Sequence, residues 1–184
     1  MEALKKRLAK LLLEKSYIER EVTLTSGKKS NYYFDCKPTA LHPEGSYLIG
    51  KLFFEMLSEN VDGVAGMTLG GDPLVTAVTV VSHIEGRPLP GLIVRKKPKG
   101  HGTQNYVEGL KNFKPGQRVV VLEDVITTGG SVLLACQRLK EANLEVDQIF
   151  CILDREEGGK KNIEQKGIKL HSIFTRDELF KLAD

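Results

Sequence analysis

The sequence predicts an α/β protein: a mostly parallel sheet flanked by helices, with a small helix-plus-hairpin hood at the N-terminus. Three observations predict it. Several strand-length segments, such as Val119-Val120-Val121-Leu122, are continuously apolar, as strands buried on both faces must be. Such segments alternate with stretches of helical period from about residue 60 onward, the signature of a parallel sheet with crossover helices. The first 40 or so residues break that alternation, reading as one amphipathic helix and a hairpin.

Element by element, Leu4, Leu8, Leu11 and Leu12 follow the spacing of a one-faced helix. Ile18 to Leu24 and Tyr32 to Cys36 read as two strands around a Ser26-Gly27 turn. Pro38 and Pro43 punctuate a loop, and Pro43 suits the first turn of a helix running to about Glu59. Gly63 to Met67 is a strand ending in Thr68-Leu69-Gly70-Gly71. Pro73 sits in the first turn of a helix to about Glu85. Leu92 to Val94 is a strand, 95–106 a polar loop, and Arg118 to Leu122 a strand. Ser131 to Ala142 is helical, and Gln148 to Leu153 and Leu170 to Phe174 are strands. Thr175 with Glu178 forms a capping box for a last helix.

A length of 184 residues favours one domain, since domains commonly run to about 100–200 residues. The expected division is a hood of about 1–40 on a core of about 41–184. Three cysteines, Cys36, Cys136 and Cys151, with no C-x-x-C pair, argue against disulfides and cysteine zinc sites and suggest a cytoplasmic setting. No apolar run approaches the roughly 20 residues of a membrane span. The basic amphipathic N-terminus carries Glu2 and Glu14, which favours a surface helix over a transit peptide. The chain has 27 basic and 24 acidic residues. Arg95, Lys96, Lys97 and Lys99 lie in one acid-free segment, and without them the count would be 23 against 24. The positive excess is therefore one loop, which suits a small polyphosphate better than a nucleic-acid surface.

The most informative stretch is 119–131. A buried strand delivers Glu123 and Asp124 to its carboxyl end, where open α/β sheets bind ligands. Val125, Ile126, Thr127, Thr128, Gly129, Gly130 and Ser131 then lead into a helix. Glycines let the backbone approach a ligand, hydroxyls add donors, and the first helical N–H groups make an anion site. Carboxylates beside an anion cradle fit a phosphorylated ribose, whose hydroxyls donate to the acids while its phosphate fills the cradle. An ordinary Thr/Ser-capped turn would explain T-T-G-G-S alone, but not with the apolar strand and acid pair before it. The phosphate-loop patterns G-x-x-x-x-G-K-S/T and G-x-G-x-x-G are both absent.

This stretch resembles the phosphoribosyl-pyrophosphate (PRPP) motif of the type I phosphoribosyltransferases. Leu24 to Ser30 followed by Tyr32-Tyr33-Phe34-Asp35, Arg95 to Gly102, and Asp154 to Gly158 resemble the orotate branch of that superfamily. The resemblance implies the type I phosphoribosyltransferase fold and transfer of ribose 5-phosphate from PRPP to orotate. It implies Mg2+ carried mainly by PRPP, with no protein metal site, and a homodimer sharing its active sites. Neither nucleic acid nor a membrane is expected as a partner. It assigns Glu123 and Asp124 to the ribose and residues 125–131 to PRPP. Arg95, Lys96, Lys99 and His101 would contact PRPP or pyrophosphate, with Lys99 and His101 acting across the dimer. Lys99, His101 and Asp124 are the expected catalytic residues.

Gly70 and Gly71 would form the pyrophosphate loop, though a tight turn would use them equally. Tyr33, Phe34, Thr127 and Arg155 would hold orotate. Spacing alone puts Tyr33 and Phe34 on opposite faces of a strand, and leaves Arg155 free to pair with Glu156 or Glu157 instead. Likewise the basic segment could be a solvated loop or a lid over pyrophosphate. Many family members carry lysines where Thr25 and Gly70 stand here. His42, His83 and His171 match no motif and are expected to be structural. A phosphoribosyltransferase for another base, or a non-catalytic PRPP sensor, is the alternative.

Overall fold

The computed structural model describes residues 1–18, 22–23, 29–30, 33–98 and 105–183. Six strands form the main sheet, in the order β10-β9-β8-β5-β6-β7. They are β5 (Gly63–Met67), β6 (Gly91–Val94), β7 (Val107–Glu108), β8 (Val119–Ile126), β9 (Gln148–Asp154) and β10 (Lys169–Thr175). Every pairing is parallel except that of β6 with β7. The mostly parallel sheet expected from the continuous apolar runs is therefore present.

Its two faces follow from the period of two along β8. Val120 and Leu122 pack with residues of α1 (Glu2–Lys15), α3 (Pro43–Met56), α4 (Gly71–Ile84) and α7 (Arg176–Ala183). Val119 and Val121 pack on the other side with α5 (Gly130–Glu141) and α6 (Gly159–Glu164). All four valines and leucines of that run are fully buried, which is why no polar residue interrupts it.

At the N-terminus, α1 buries Leu8, Ala9, Leu11 and Leu12. Its end is tied down by the fully buried hydroxyls of Ser16 and Thr39, 2.6 Å apart. The hairpin is present as two antiparallel pieces: β1 (Tyr17–Ile18) with β4 (Tyr33–Phe34), and β2 (Val22–Thr23) with β3 (Lys29–Ser30). The Ser26-Gly27 turn lies outside the described residues.

Several elements differ from expectation. Where a loop punctuated by Pro38 and Pro43 is expected, a short helix forms, α2 (Lys37–Ala40), with Pro38 in its first turn. Helix α3 stops at Met56, short of Glu59, because Leu57 turns to an extended backbone and is buried. β8 runs on through both acids to Ile126. β7, a 3-10 turn at Leu110–Asn112 and α6 are further elements that the sequence pattern does not predict. The capping box is as expected: Thr175 N–H donates to Glu178 at 3.0 Å and Glu178 N–H to the Thr175 hydroxyl at 3.3 Å.

Candidate active site

Connections leave β5 toward β6 but leave β8 toward β9, so the chain diverges between the neighbours β5 and β8. A crevice forms at such a divergence, beyond the carboxyl ends of the strands. The last β5–β8 pair is Gly66 with Leu122, whereas β8 stays paired with β9 as far as Ile126. Glu123 and Asp124 therefore stand where one neighbouring strand has ended. A cavity of about 740 Å3 opens there.

Its lining brings together most of the residues singled out from sequence: Tyr33, Phe34, Gly70, Lys96, Arg155 and the whole run from Glu123 to Ser131. Arg95 is not among them; its guanidinium pairs with Glu108 at 3.2 Å. Lys99 and His101 lie outside the described residues.

Burial first, and then the adjacent Asp124 charge, pushes the Glu123 carboxyl well above the usual carboxylate range, while Lys96 works in the opposite sense. An acid pair this crowded favours a ligand that donates hydrogen bonds or carries positive charge. The Asp124 carboxylate also accepts the Val125 N–H at 2.8 Å.

After β8 the chain turns through Gly129, whose φ of +83° suits glycine, into α5. No side chain caps this helix, so its first N–H groups face the cavity mouth with Thr128, Gly130 and Ser131 exposed beside them. The cradle is braced by α6. Asn162 donates to the Thr128 carbonyl at 3.0 Å, and a Cβ on Gly159 would fall 2.6 Å from the Thr127 carbonyl oxygen. Opposite, the loop after β5 carries a cis peptide at Thr68–Leu69. The Thr68 hydroxyl donates to Asp72 at 2.9 Å. Gly70 abuts the acids: a Cβ there would lie 2.9 Å from the Asp124 carboxylate atoms.

Tyr33 and Phe34 both border the cavity. Phe34 is also buried, with its ring centroid 5.8 Å from that of Tyr17. Tyr33 is half-buried, so the opposite-face placement expected from spacing leaves one ring in the core while both residues border the cavity. Arg155 is 4% exposed, and its Nε lies 2.9 Å from Glu157, the ion pair foreseen as one of two partners.

Sequence reasoning passed over Asp35, Lys37 and Thr68, which also line the cavity. Lys37 pairs with Asp35 at 2.6 Å. Burial works against its charge, yet Asp35 and Asp124 outweigh that and raise its pKa. A lysine three residues beyond a Tyr33-Phe34 pair already assigned to a site was the available signal.

The family model described as the phosphoribosyl transferase domain matches residues 42–174. The orotate phosphoribosyltransferase of Aquifex aeolicus is 47% identical over 179 residues, covering 95% of this chain and 97% of that protein. The one from Nostoc sp. is 45% identical over 172 residues, covering 94% and 83%. Among solved structures, Mycobacterium tuberculosis orotate phosphoribosyltransferase in complex with PRPP superposes with a TM-score of 0.78 at 34% identity, covering 96% of this chain and 99% of that one. The fold is the type I phosphoribosyltransferase fold. With the family model spanning most of the chain and near-full-length identity to such relatives, the chain belongs to the orotate phosphoribosyltransferase family.

Proposed function

We propose that the protein transfers ribose 5-phosphate from PRPP to orotate, giving orotidine 5′-monophosphate and pyrophosphate. One observation carries the reading: an acid pair and an uncapped helix N-terminus line the same cavity, with Arg155 and two aromatic residues on its wall. Glu123 and Asp124 accept hydrogen bonds from the ribose hydroxyls. The backbone and hydroxyls of Thr127, Thr128, Gly129, Gly130 and Ser131 hold the 5′-phosphate, with Val125 and Ile126 forming the approach. Tyr33, Phe34, Thr127 and Arg155 hold orotate, the guanidinium fork suiting its carboxylate.

Gly70, Gly71 and Lys96 face the pyrophosphate, joined by Arg95, Lys99 and His101 from the basic segment. Positive charge grows at C1′ as the bond to pyrophosphate lengthens, and the orotate nitrogen attacks from the opposite side. Cations aimed at the departing pyrophosphate act most strongly in that transition state. Asp124, close to the ribose, and Lys99 and His101, on the leaving side, are the catalytic residues in this reading.

Mg2+ fits the crowded oxygen donors of Glu123 and Asp124. Among the described residues no three His, Cys, Asp or Glu gather into a metal cage. In this reading PRPP supplies most of the ligands of the ion. The ion would neutralise charge on the diphosphate.

A homodimer is proposed on the exposed apolar side chains Leu41, Tyr47, Leu69, Val80 and Ile84, of which Leu41 and Leu69 border a second cavity next to the site. A cytoplasmic setting accords with three free, buried thiols. Residues 1–40 would act as a hood on the core of a single domain. Among the described residues no helix is long and apolar enough to cross a membrane.

The test is turnover: protein, Mg2+, PRPP and orotate are mixed and orotate absorbance is followed. Consumption of only adenine, hypoxanthine or uracil would overturn the substrate. No turnover of any base, with salt-dependent nucleic-acid binding, would favour a sensor. Recovery of activity on mixing Lys99→Ala with Asp124→Asn protein tests the shared site.

A further inference from the structure

Arg138 lies near the far end of α5, eight residues beyond the helix start at Gly130, and belongs to no part of the site described above. Its guanidinium nevertheless reaches the base of the basic segment. One terminal nitrogen donates to the Arg95 carbonyl, and the other to the Lys96 carbonyl at 3.2 Å. The guanidinium carbon also lies 4.0 Å from the ring centroid of Tyr106, the residue just before the returning strand β7. The two sides of that base are bonded to each other, the Arg95 N–H donating to the Tyr106 carbonyl at 2.7 Å. Directly below it, β6 and β7 pair through Val94 with Val107 and Ile93 with Glu108.

One planar cation thus grips three points at the base of the basic segment. The fork takes two successive carbonyls, and the cation lies over an aromatic ring. Lysine, with a point charge on a flexible stem, cannot do both. The residue so held is Lys96, whose side chain lines the cavity and whose charge acts on Glu123.

We infer that Arg138 is a positioning residue for Lys96. It fixes the main chain at Arg95–Lys96 to the helix that carries the phosphate cradle, so that the Lys96 ammonium is held over the polyphosphate end of the ligand. α5 then sets the distance between the site of the 5′-phosphate and that of the leaving pyrophosphate. The inference rests on the proposed reaction for its kinetic readout but not for its structural one.

The experiment is a double-mutant cycle on kcat/KM for PRPP with Arg138→Ala, Arg138→Lys, Lys96→Ala and the Arg138→Ala/Lys96→Ala pair. Hydrogen exchange at the Arg95 amide and inorganic phosphate binding are measured alongside. Arg138→Ala and Arg138→Lys should each lower kcat/KM roughly ten-fold or more, in keeping with lost hydrogen bonds to a charged group. The pair should fall no more than about two-fold below Lys96→Ala alone, because a misplaced lysine and an absent one are nearly equivalent. Arg95 amide exchange should quicken in both Arg138 variants, and phosphate binding should stay within about two-fold of wild type, since the cradle itself is untouched. Full additivity, wild-type behaviour of Arg138→Lys, or equal loss of phosphate binding and kcat/KM would each overturn the inference. If wild-type protein turns over no PRPP with orotate, the proposed function fails instead; unchanged Arg95 exchange would then still overturn the positioning role, and quickened exchange would support it.

Discussion

Two adjacent glycines should respond to the same substitution in different ways. A Cβ added to Gly70 would fall 2.9 Å from the carboxylate atoms of Asp124, whereas one added to Gly71 would fall 2.7 Å from the main chain of Gly66. A carboxylate can swing; the backbone of a buried central strand cannot. Gly70→Ala should therefore displace Asp124, which also holds the Val125 N–H at 2.8 Å, and leave the fold nearly intact. A displaced carboxylate forfeits a charged hydrogen bond to the ribose, worth about 1.5–3 kcal/mol. That corresponds to a fall in kcat/KM of roughly ten- to 150-fold. Gly71→Ala should instead overpack α4 against β5, at about 1–3 kcal/mol of stability. For a chain of this size each kcal/mol lowers Tm by roughly 2–4 °C. Thermal melts of the free protein and initial rates with saturating orotate separate the two. A Gly70→Ala enzyme within two-fold of wild type, or one destabilised as much as Gly71→Ala, would refute the reasoning.

Three further outcomes are expected. The fold raises the Glu123 pKa, so its contribution to stability is present below the unfolded value of about 4.3 and is lost as pH rises through the raised one. Glu123→Gln should thus melt higher than wild type at pH 8, with the gap narrowing toward pH 5, while binding PRPP more weakly; melts from pH 5 to 8 and a PRPP titration check both. Ser16→Ala strands the buried Thr39 hydroxyl, whose remaining acceptor, the Leu11 carbonyl, is 3.5 Å away. It should lower unfolding free energy by about 1–3 kcal/mol in urea titrations. Burial pushes the Cys136 thiol up to about 12 and those of Cys36 and Cys151 well above their ordinary value. The folded protein should resist a maleimide at pH 8 and take up three equivalents in denaturant, as read by intact mass.

The parts of this fold that could be read in sequence are those whose physics is local. Val119 to Leu122 is buried on both faces, so its residue types alone declare a central strand. The acids follow directly in the chain, and the Thr-Thr-Gly-Gly-Ser turn is recognisable from its own residue types, although α6 braces it in the fold. Elements that escaped are short and take their stability from elsewhere. α6 has six residues, of which only Gly159 and Ile163 are buried, and β7 is two residues held by β6. Neither is long enough to show a period. The short helix α2 is hidden by Pro38 within it and Pro43 after it, since prolines in sequence mark a loop as readily as a first turn.

The site shows the same division, and it changes the meaning of the charge excess. In sequence the four cations of residues 95–99 are equivalent. In the fold, Arg95 pairs with Glu108 outside the cavity lining, while Lys96 lines the cavity. What separates them is Arg138, more than 40 residues away in the chain, gripping the carbonyls of both. No pattern of residue types could predict that contact, because it depends on α5 crossing the sheet to meet the end of β6. The helix is thus tied to the site at both ends: its first turn borders the acids through the chain itself, and its last turn holds the main chain of a cation that lines the same cavity. Bulk charge indicates a polyanionic ligand, whereas the placement of each cation depends on the helix on which the anion cradle is built.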